Sequence, residues 1–545
     1  MLSKSDELSG KVDNDKTEPL LGNDRNEGLP VYDFDQLMHM SGGFGRMQWL
    51  ILIFAVIAYQ GINIFVYNMA FLELMPKLMC RDNLEGEFHT CIETRDICQG
   101  NSLIDRGLWM IDFTDDQSFH NWMTDLELFW ESDFAIGMIG ASFFIGSTLY
   151  GFILTFNNVI GRKKFIIIGM VCQIVCVYGL FYASSLNVIY IFLFLSGLWV
   201  AKNICIYIYV MEWIPTNYQL IVGAVLNAWD VVTVVLPVSI YFYFGGANWS
   251  NIFFPVLIIP VFGFLLSFSI SESPRFLIAK WRFDEAREVI QMYATVNGIK
   301  IDHEYLIEGE SNGRQSENTI GNIFLIFLNF INTWHNWDLD QNEDLLQTKG
   351  SKNKEFSLIE VLKEPANMIN LIVVIMCFVF VSFNYYMVNF FMKYVGGNIF
   401  INTLLSSISE SIGNFAVSPI HKYSNTKVSF MVMFGCSWLV ALPLLVSKSS
   451  VIVAVSVFSC KFFIEGAFMM AYFVNAEVFP PLLVPFSFSI WGIMSKIATI
   501  GAPVAAEIKP RQVPIILLCV FSAIACGCVT LLRIPKSTKP KHKSS

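Results

Sequence analysis

Lys496, Glu410, Lys461, Glu465, Lys202 and Asp230 all fall inside long apolar runs of the chain. An ionisable group in such a run costs roughly 2.5–3.5 kcal/mol on insertion scales, so each must face protein, a wet cavity or an opposite charge. Lys496 lies about midway along its run, too deep for a four-carbon stem to reach an interface easily. A cation held there favours an anionic solute. The alternative is neutralisation by a carboxylate on a neighbouring segment, with Glu410 or Asp230 as candidates. Pairing with Glu410 would make the site tolerant of zwitterions or sensitive to protons. Lys461 and Glu465 stand four apart, on one face of a helix, and read as a mutually neutralising pair. Asp230 and Lys202 read as another.

The elements that position these groups follow from hydropathy. Hydrophobic residues make up 54% of the chain and charged ones only 15%, where a soluble domain carries about 25% charged residues. A span needs about 20 mostly apolar residues to cross the hydrocarbon. Such runs occur near 48–72, 133–156, 163–183, 186–209, 217–244 and 251–270, and again near 367–392, 399–420, 428–447, 451–474, 484–506 and 513–533. Lipid offers no partner for backbone N–H and C=O groups, so each run is expected to be a helix. The reading is an all-α polytopic membrane protein with twelve helices in two six-helix halves, 48–270 and 367–533. Residues 1–47 form an N-terminal tail, 271–366 a connecting loop and 534–545 a basic tail.

Arg162, Lys163 and Lys164, with Lys536, Lys539, Lys541 and Lys543, are expected on the cytoplasmic side by the positive-inside rule. An even number of spans then places both termini in the cytoplasm. The polar, acidic residues 1–45 do not read as a cleavable signal, so the first run is expected to direct insertion itself. Residues 73–132 would lie outside. They hold thirteen acids against four bases, a local charge of −9 that equals the formal charge of the whole chain. Cys80, Cys91 and Cys98 fall in this loop, where an oxidising compartment favours disulfides. Three cysteines allow one bridge within the loop and leave one thiol, which could join two chains. The other nine lie in or beside apolar runs and read as small hydrophobes. Residues 275–296 carry apolar positions at helical spacing and read as an amphipathic helix on the cytoplasmic side.

Several segments narrow the class. Tyr32-Asp33-Phe34-Asp35 with Gly42-Gly43-Phe44-Gly45-Arg46, Pro76 with Cys80, Glu212-Trp213, Ser271-Glu272-Ser273-Pro274-Arg275-Phe276-Leu277, and Lys461, Phe468, Ala476-Glu477, Phe479-Pro480 resemble the organic ion transporters, solute carrier family 22. The resemblance covers about residues 32–535 and implies the major facilitator fold, with a midplane site between pseudo-symmetric halves. It implies that Lys496 occupies the position of an arginine in anion carriers and of an aspartate in cation carriers. It also implies that Glu410, Tyr385, Tyr386 and Phe468 line the site, the aromatic rings suiting amphipathic ions. Packing explains the aromatics equally well in a chain that is 15% aromatic, and Phe390 and Phe391 read as packing. Arg162, Glu212, Glu272, Arg275 and Glu477 fall on the segments that gate the inner side.

Some positions depart from the family pattern. Asn158 and Val159 stand where an acid and an arginine are expected, and Gln219 and Val484 stand where arginines should partner Glu212 and Glu477. The expectation is a weaker inner gate.

No Walker loop, metalloprotease motif or nucleophile elbow occurs, so neither an ATP-driven pump nor an enzyme is expected. The scattered histidines and cysteines give no metal spacing, and no cofactor or nucleic-acid partner is implied. Asn248-Trp249-Ser250 is a glycosylation sequon on a short outer turn. Three readings follow. The first is a secondary or facilitative carrier of small organic anions or zwitterions, with a counter-ion or exchanged solute and the lipid bilayer as partners. The second is a cation or carnitine-like carrier, which an acidic outer loop would favour. The third is a non-transporting receptor or scaffold. The plasma membrane is the expected address, with an endolysosomal membrane as the alternative, and a homo-oligomer is compatible with the odd cysteine.

Overall fold

The computed structural model describes residues 30–533, except 61–62, 82–84, 91–108, 116, 216–217, 220–221, 224, 227–228, 230–235, 245, 247, 301–304, 308–309, 311–363, 448 and 480–483. Asp230, Cys91, Cys98 and the terminal tails therefore lie outside the described residues.

A short α1 (Phe34–Met40), capped by Asp33, precedes the first apolar run. That run forms three pieces, α2 (Arg46–Tyr59), α3 (Asn63–Tyr67) and α4 (Met69–Leu72), where the hydropathy predicts one span. The breaks fall at Gln60, which turns extended, and at Asn68, and both polar side chains are buried. Next come α5 (Asp133–Thr148), prolonged by short turns to Ile160, α6 (Arg162–Phe181), α7 (Leu186–Leu198), α8 (Val200–Trp213), α9 (Leu236–Tyr243) and α10 (Ser250–Ser267). The predicted run 217–244 lies largely outside the described residues, with α9 its C-terminal part. A short α11 (Pro274–Ala279) and an amphipathic α12 (Phe283–Asn297) precede the second half. That half contains α13 (Pro365–Phe391), α14 (Ile399–Tyr423), α15 (Thr426–Ala441), α16 (Ser450–Val478), α17 (Val484–Thr499), α18 (Gly501–Ala506) and α19 (Gln512–Val529). Among the described residues, eight helices are long and apolar enough to cross a membrane.

Glycine sets the closest helix contact. A Cβ on Gly146 of α5 would stand 2.0 Å from the Phe194 carbonyl oxygen of α7, and one on Gly197 would stand 2.1 Å from that of Phe143. Only hydrogen fits at this crossing, the small-residue packing that membrane helices use when lipid removes the hydrophobic drive.

The two ends of the bundle differ. At one, the loop face, β2 (Leu78–Cys80) pairs antiparallel with β3 (His89–Thr90) and β4 (Trp109–Ile111). Asn121, later in the same loop, ties the loop to the first run, donating to the carbonyls of Phe71 and Leu74 at 2.9 and 2.8 Å. Lys77 stands 3.3 Å from both Asp112 and Asp115. Cys80 is buried at the end of β2 and is not one of the free thiols, whereas the nine cysteines of the apolar runs are free. Asn248 sits at this face too, bridging to His120.

At the other end, the tail face, β1 (Val31–Tyr32) pairs parallel with β5 (Leu306–Ile307). Leu37, Leu277, Ala286, Ile290, Tyr305 and Ile307 form a small separate core there. The predicted amphipathic helix over 275–296 is broken near Trp281, whose φ is 60°. Its second part joins the glycine-rich entry segment. Asn297 donates to the Ser41 carbonyl at 3.0 Å and accepts from the Met47 amide at 2.9 Å, and the Tyr293 hydroxyl donates to the Gly43 carbonyl at 2.7 Å.

Candidate functional site

Tyr385 and Tyr386 are consecutive on α13, so their side chains diverge by about 100° around the helix. Each meets a different lysine. The Tyr385 hydroxyl donates to Glu410 Oε2 at 3.3 Å, and Lys461 Nζ lies 4.0 Å from the Tyr385 ring centroid. Lys496 on α17 lies 5.5 Å from the Tyr386 ring centroid. The two rings pack edge to face at 5.0 Å.

The lysines differ in pairing. Lys461 on α16 is wholly buried and stands 2.5 Å from Glu410 Oε1 of α14. This corrects two expectations: Lys461 pairs with Glu410 rather than with Glu465, and Glu410 is not the partner of Lys496. The helix crossing explains it, because Gly413 lets α14 approach α16 until a Cβ at that position would meet the Phe462 carbonyl at 3.1 Å. Glu465, one turn along from Lys461, remains buried in the same layer with 6% exposure, so two carboxylates flank one lysine. Lys496 is half-buried, and among the described residues no carboxylate forms an ion pair with it.

Aromatic rings enclose these charges. Phe468, half-buried on α16, packs on Tyr385 at 5.8 Å and on Phe378 at 5.1 Å. Trp491 reaches Phe378 at 3.7 Å, and its indole N–H donates to Asn475 at 3.3 Å. Phe144 of the first half meets Tyr386 edge to face at 4.6 Å, so Tyr386 lies where the halves meet. Phe144, Phe378 and Trp491 were not singled out from the sequence. Their spacing on α5, α13 and α17 is ordinary for core aromatics.

The tail-face residues form a second group. Arg162 donates to Glu212, with a closest distance of 3.1 Å, to Asn158 at 2.9 Å and to Asn157 at 3.3 Å, and lies over the Phe276 ring at 4.7 Å. Glu272 caps α6, accepting from the Arg162 amide at 2.9 Å and the Lys163 amide at 3.2 Å. Gly161 makes this approach feasible, with φ of 95° and room for no Cβ, which would stand 2.3 Å from Glu272 Oε2. Glu212 therefore has a basic partner, against the expectation drawn from Gln219. The Gln219 amide donates to the carbonyls of Met211 and Ile214 instead, at 3.0 and 3.1 Å. Arg275 stands apart from this group, paired with Asp35 at 2.7 Å. Glu477 lies in the other half and accepts from the Thr426 hydroxyl.

A third group was not anticipated. Lys393 follows α13 at the loop face with its side chain 1% exposed, 2.7 Å from Glu73 and 2.8 Å from Glu507. Tyr394 donates to Glu507, and Arg511 lies over the Tyr394 ring at 3.4 Å. Nearby the halves pack closely: a Cβ on Gly140 would meet Phe390 at 2.5 Å, one on Gly137 would meet the Val504 backbone at 2.7 Å, and Phe71 stacks on Phe400 at 5.7 Å. Beneath this seam lies a small, partly open cavity of about 20 Å³, bounded by Tyr67, Met392, Thr403, Ser406 and Glu410 among others.

Similarity to known proteins agrees with this architecture. The sequence pattern of the Major Facilitator Superfamily matches residues 117–503. Organic cation/carnitine transporter 2 of Homo sapiens is 22% identical over 398 residues, which cover 72% of this chain and 65% of that protein. Solute carrier family 22 member 4 of Mus musculus is 20% identical over 387 residues, covering 70% and 63% respectively. The match thus spans less than two thirds of the length of these relatives. Among solved structures, the inward-open xylose transporter XylE of E. coli shares the fold at a TM-score of 0.57, with 11% identity and coverage of 90% of this chain and 98% of that one. The chain belongs to the Major Facilitator Superfamily and is a divergent relative of solute carrier family 22 within it.

Proposed function

We propose that the chain is an alternating-access carrier of small organic ions bearing a carboxylate, either anions or zwitterions. One observation carries the reading. Glu410 takes up Lys461, which leaves Lys496 as the half-buried cation with no ion-paired carboxylate among the described residues. In this reading a solute carboxylate binds Lys496, while Tyr385, Tyr386 and Phe468 supply apolar area on which an organic body lies. Arg162, Glu212, Glu272, Arg275 and Glu477 serve the inner gate. The loop face is extracellular, the tail face and both termini are cytoplasmic, and the membrane is the plasma membrane. A bridge from Cys80 to Cys91 or Cys98 braces the outer loop, and a counter-ion or exchanged solute drives the return step.

A cation or carnitine-like substrate is the second reading. Glu410 and Glu465 share one lysine, which leaves that layer with an excess negative charge able to hold an ammonium group. The name of the human relative points the same way. Radiolabelled uptake in oocytes of carboxylates, ammonium ions and zwitterions tests both, comparing the wild-type chain with Lys496→Ala. Carboxylate uptake lost in the variant supports the first reading. Ammonium uptake that ignores the substitution supports the second, and no saturable uptake of any solute rejects both in favour of a scaffold.

A further inference from the structure

We propose that Glu73, Lys393 and Glu507 form an outer latch in which Lys393 is shared between a carboxylate of each half and keeps one of them when the latch opens. The proposal rests on reading the chain as an alternating-access carrier. Glu73 ends the first apolar run of the first half, whereas Lys393 and Glu507 follow α13 and α18 of the second. The contact of Lys393 with Glu73 crosses between the halves, and its contact with Glu507 does not.

Burial makes the arrangement consequential. The three charged side chains are 1 to 3% exposed, and a buried charge stripped of its partner is strongly unfavourable. A simple cross-half pair would leave a bare ammonium in the second half each time the halves parted. Here Lys393 retains Glu507, which Tyr394 and Arg511 also hold. Glu73 moves with the first half into a cleft that water enters. Its Oε1 already lacks a hydrogen-bond partner in the closed state, so hydration of this carboxylate offsets part of the lost contact. The latch adjoins the small cavity that reaches Glu410, since Met392, the residue before Lys393, lines it. Opening it would connect the outer solution to the Glu410–Lys461 layer.

The two carboxylates therefore have opposite roles. Removing Glu73 takes away the cross-half contact and should open the loop face. Removing Glu507 takes away the retained partner, so Lys393 depends on Glu73 alone and opening becomes harder. A merely structural cluster would respond in one direction to both.

Ser406, buried in the cavity wall, provides a reporter that needs no substrate. Ser406→Cys is labelled from outside with a membrane-impermeant maleimide in intact cells, against the parent chain with its native cysteines, and corrected for surface amount. Glu73→Gln should raise the labelling rate severalfold, and Glu507→Gln should lower it severalfold. No change in either, or a change in the same direction in both, overturns the latch. If the glutamine variants do not reach the surface, two charge-conserving variants carry the test. Glu73→Asp, one methylene shorter, should raise labelling and Lys393→Arg should not, and equal rates in Glu73→Asp and the parent overturn the proposal. Loss of uptake with the predicted labelling pattern intact would count against the substrate reading alone.

Discussion

Replacing Lys496 by alanine removes the cation on which the substrate reading depends. Lys496 is half-buried, lies 5.5 Å from the Tyr386 ring centroid, and has no ion-paired carboxylate among the described residues. A charge-assisted hydrogen bond from it to a solute carboxylate is worth roughly 1.5–3 kcal/mol, which corresponds to about a 10- to 150-fold change in affinity. The lower part of that range is expected, because a partly wet cavity screens the charge. The assay is concentration-dependent uptake of a carboxylate and of its uncharged amide, with surface amounts measured in parallel. Lys496→Ala should raise KM for the carboxylate by about 10-fold or more and leave the amide unchanged. Lys496→Arg should retain most of the carboxylate affinity, since it keeps the charge. An equal loss for carboxylate and amide would refute the reasoning, because it would mean that Lys496 supports the fold of α17 rather than the solute's charge.

Glu272→Ala should lower the thermal unfolding midpoint in detergent, because the carboxylate caps α6 through two backbone amides and loss of a cap costs about 0.5–2 kcal/mol; an unchanged midpoint would count against the capping role. Gly146→Ala should reduce the monodisperse folded fraction on size exclusion, since its Cβ would stand 2.0 Å from a backbone oxygen and overpacking costs about 1–3 kcal/mol. Gly151→Ala, with nothing within 4 Å, serves as its control and should behave as wild type. Asn158→Asp combined with Val159→Arg should increase labelling from the loop face, because the arginine placed at exposed position 159 would add a tail-face charge able to reach the second half, while the aspartate at 158 would hold Arg162, which already donates to Asn158 at 2.9 Å. Unchanged labelling would mean that the departures at these positions do not set the conformational balance.

What was legible in the sequence was whatever depends on one helix at a time. Within the described residues the apolar runs became helices, the first of them in three pieces, and the entry and E-S-P-R segments fell on structured parts of the tail face. Charge pairing was not legible, because it depends on which helices cross and where. Glu410 and Lys461 lie on different helices, and Gly413 brings those helices together. Lys461 and Glu465 obey helical spacing, yet the lysine turns to the carboxylate across the interface. Arg162 and Glu212 likewise meet across a helix boundary. Lys393, Glu73 and Glu507 lay hidden for another reason. Each stands at the end of an apolar run, where a charged residue is ordinary, and only packing between the halves shows that all three are buried.

These placements set the two faces against each other energetically. At the tail face, Arg162, Glu212 and Glu272 bind one another within the first half, and Glu477 binds Thr426 within the second. Such contacts brace each half and persist whether or not the halves part there. At the loop face, by contrast, the contacts of Glu73 with Lys393, of Phe71 with Phe400 and of Gly140 with Phe390 all cross between the halves and all break on opening. Substitutions at the loop-face seam should therefore alter the populations of the two states, removal of an existing tail-face contact should mainly alter the stability of one half, and new tail-face charges act on the populations only where they reach the other half. The Lys393–Glu507 contact moderates this asymmetry, since it keeps Lys393 paired in both states. Opening of the loop face is then a transition in which Lys393 stays paired, and its cost comes from separating packed aromatic and glycine surfaces as well as a single cross-half ion pair.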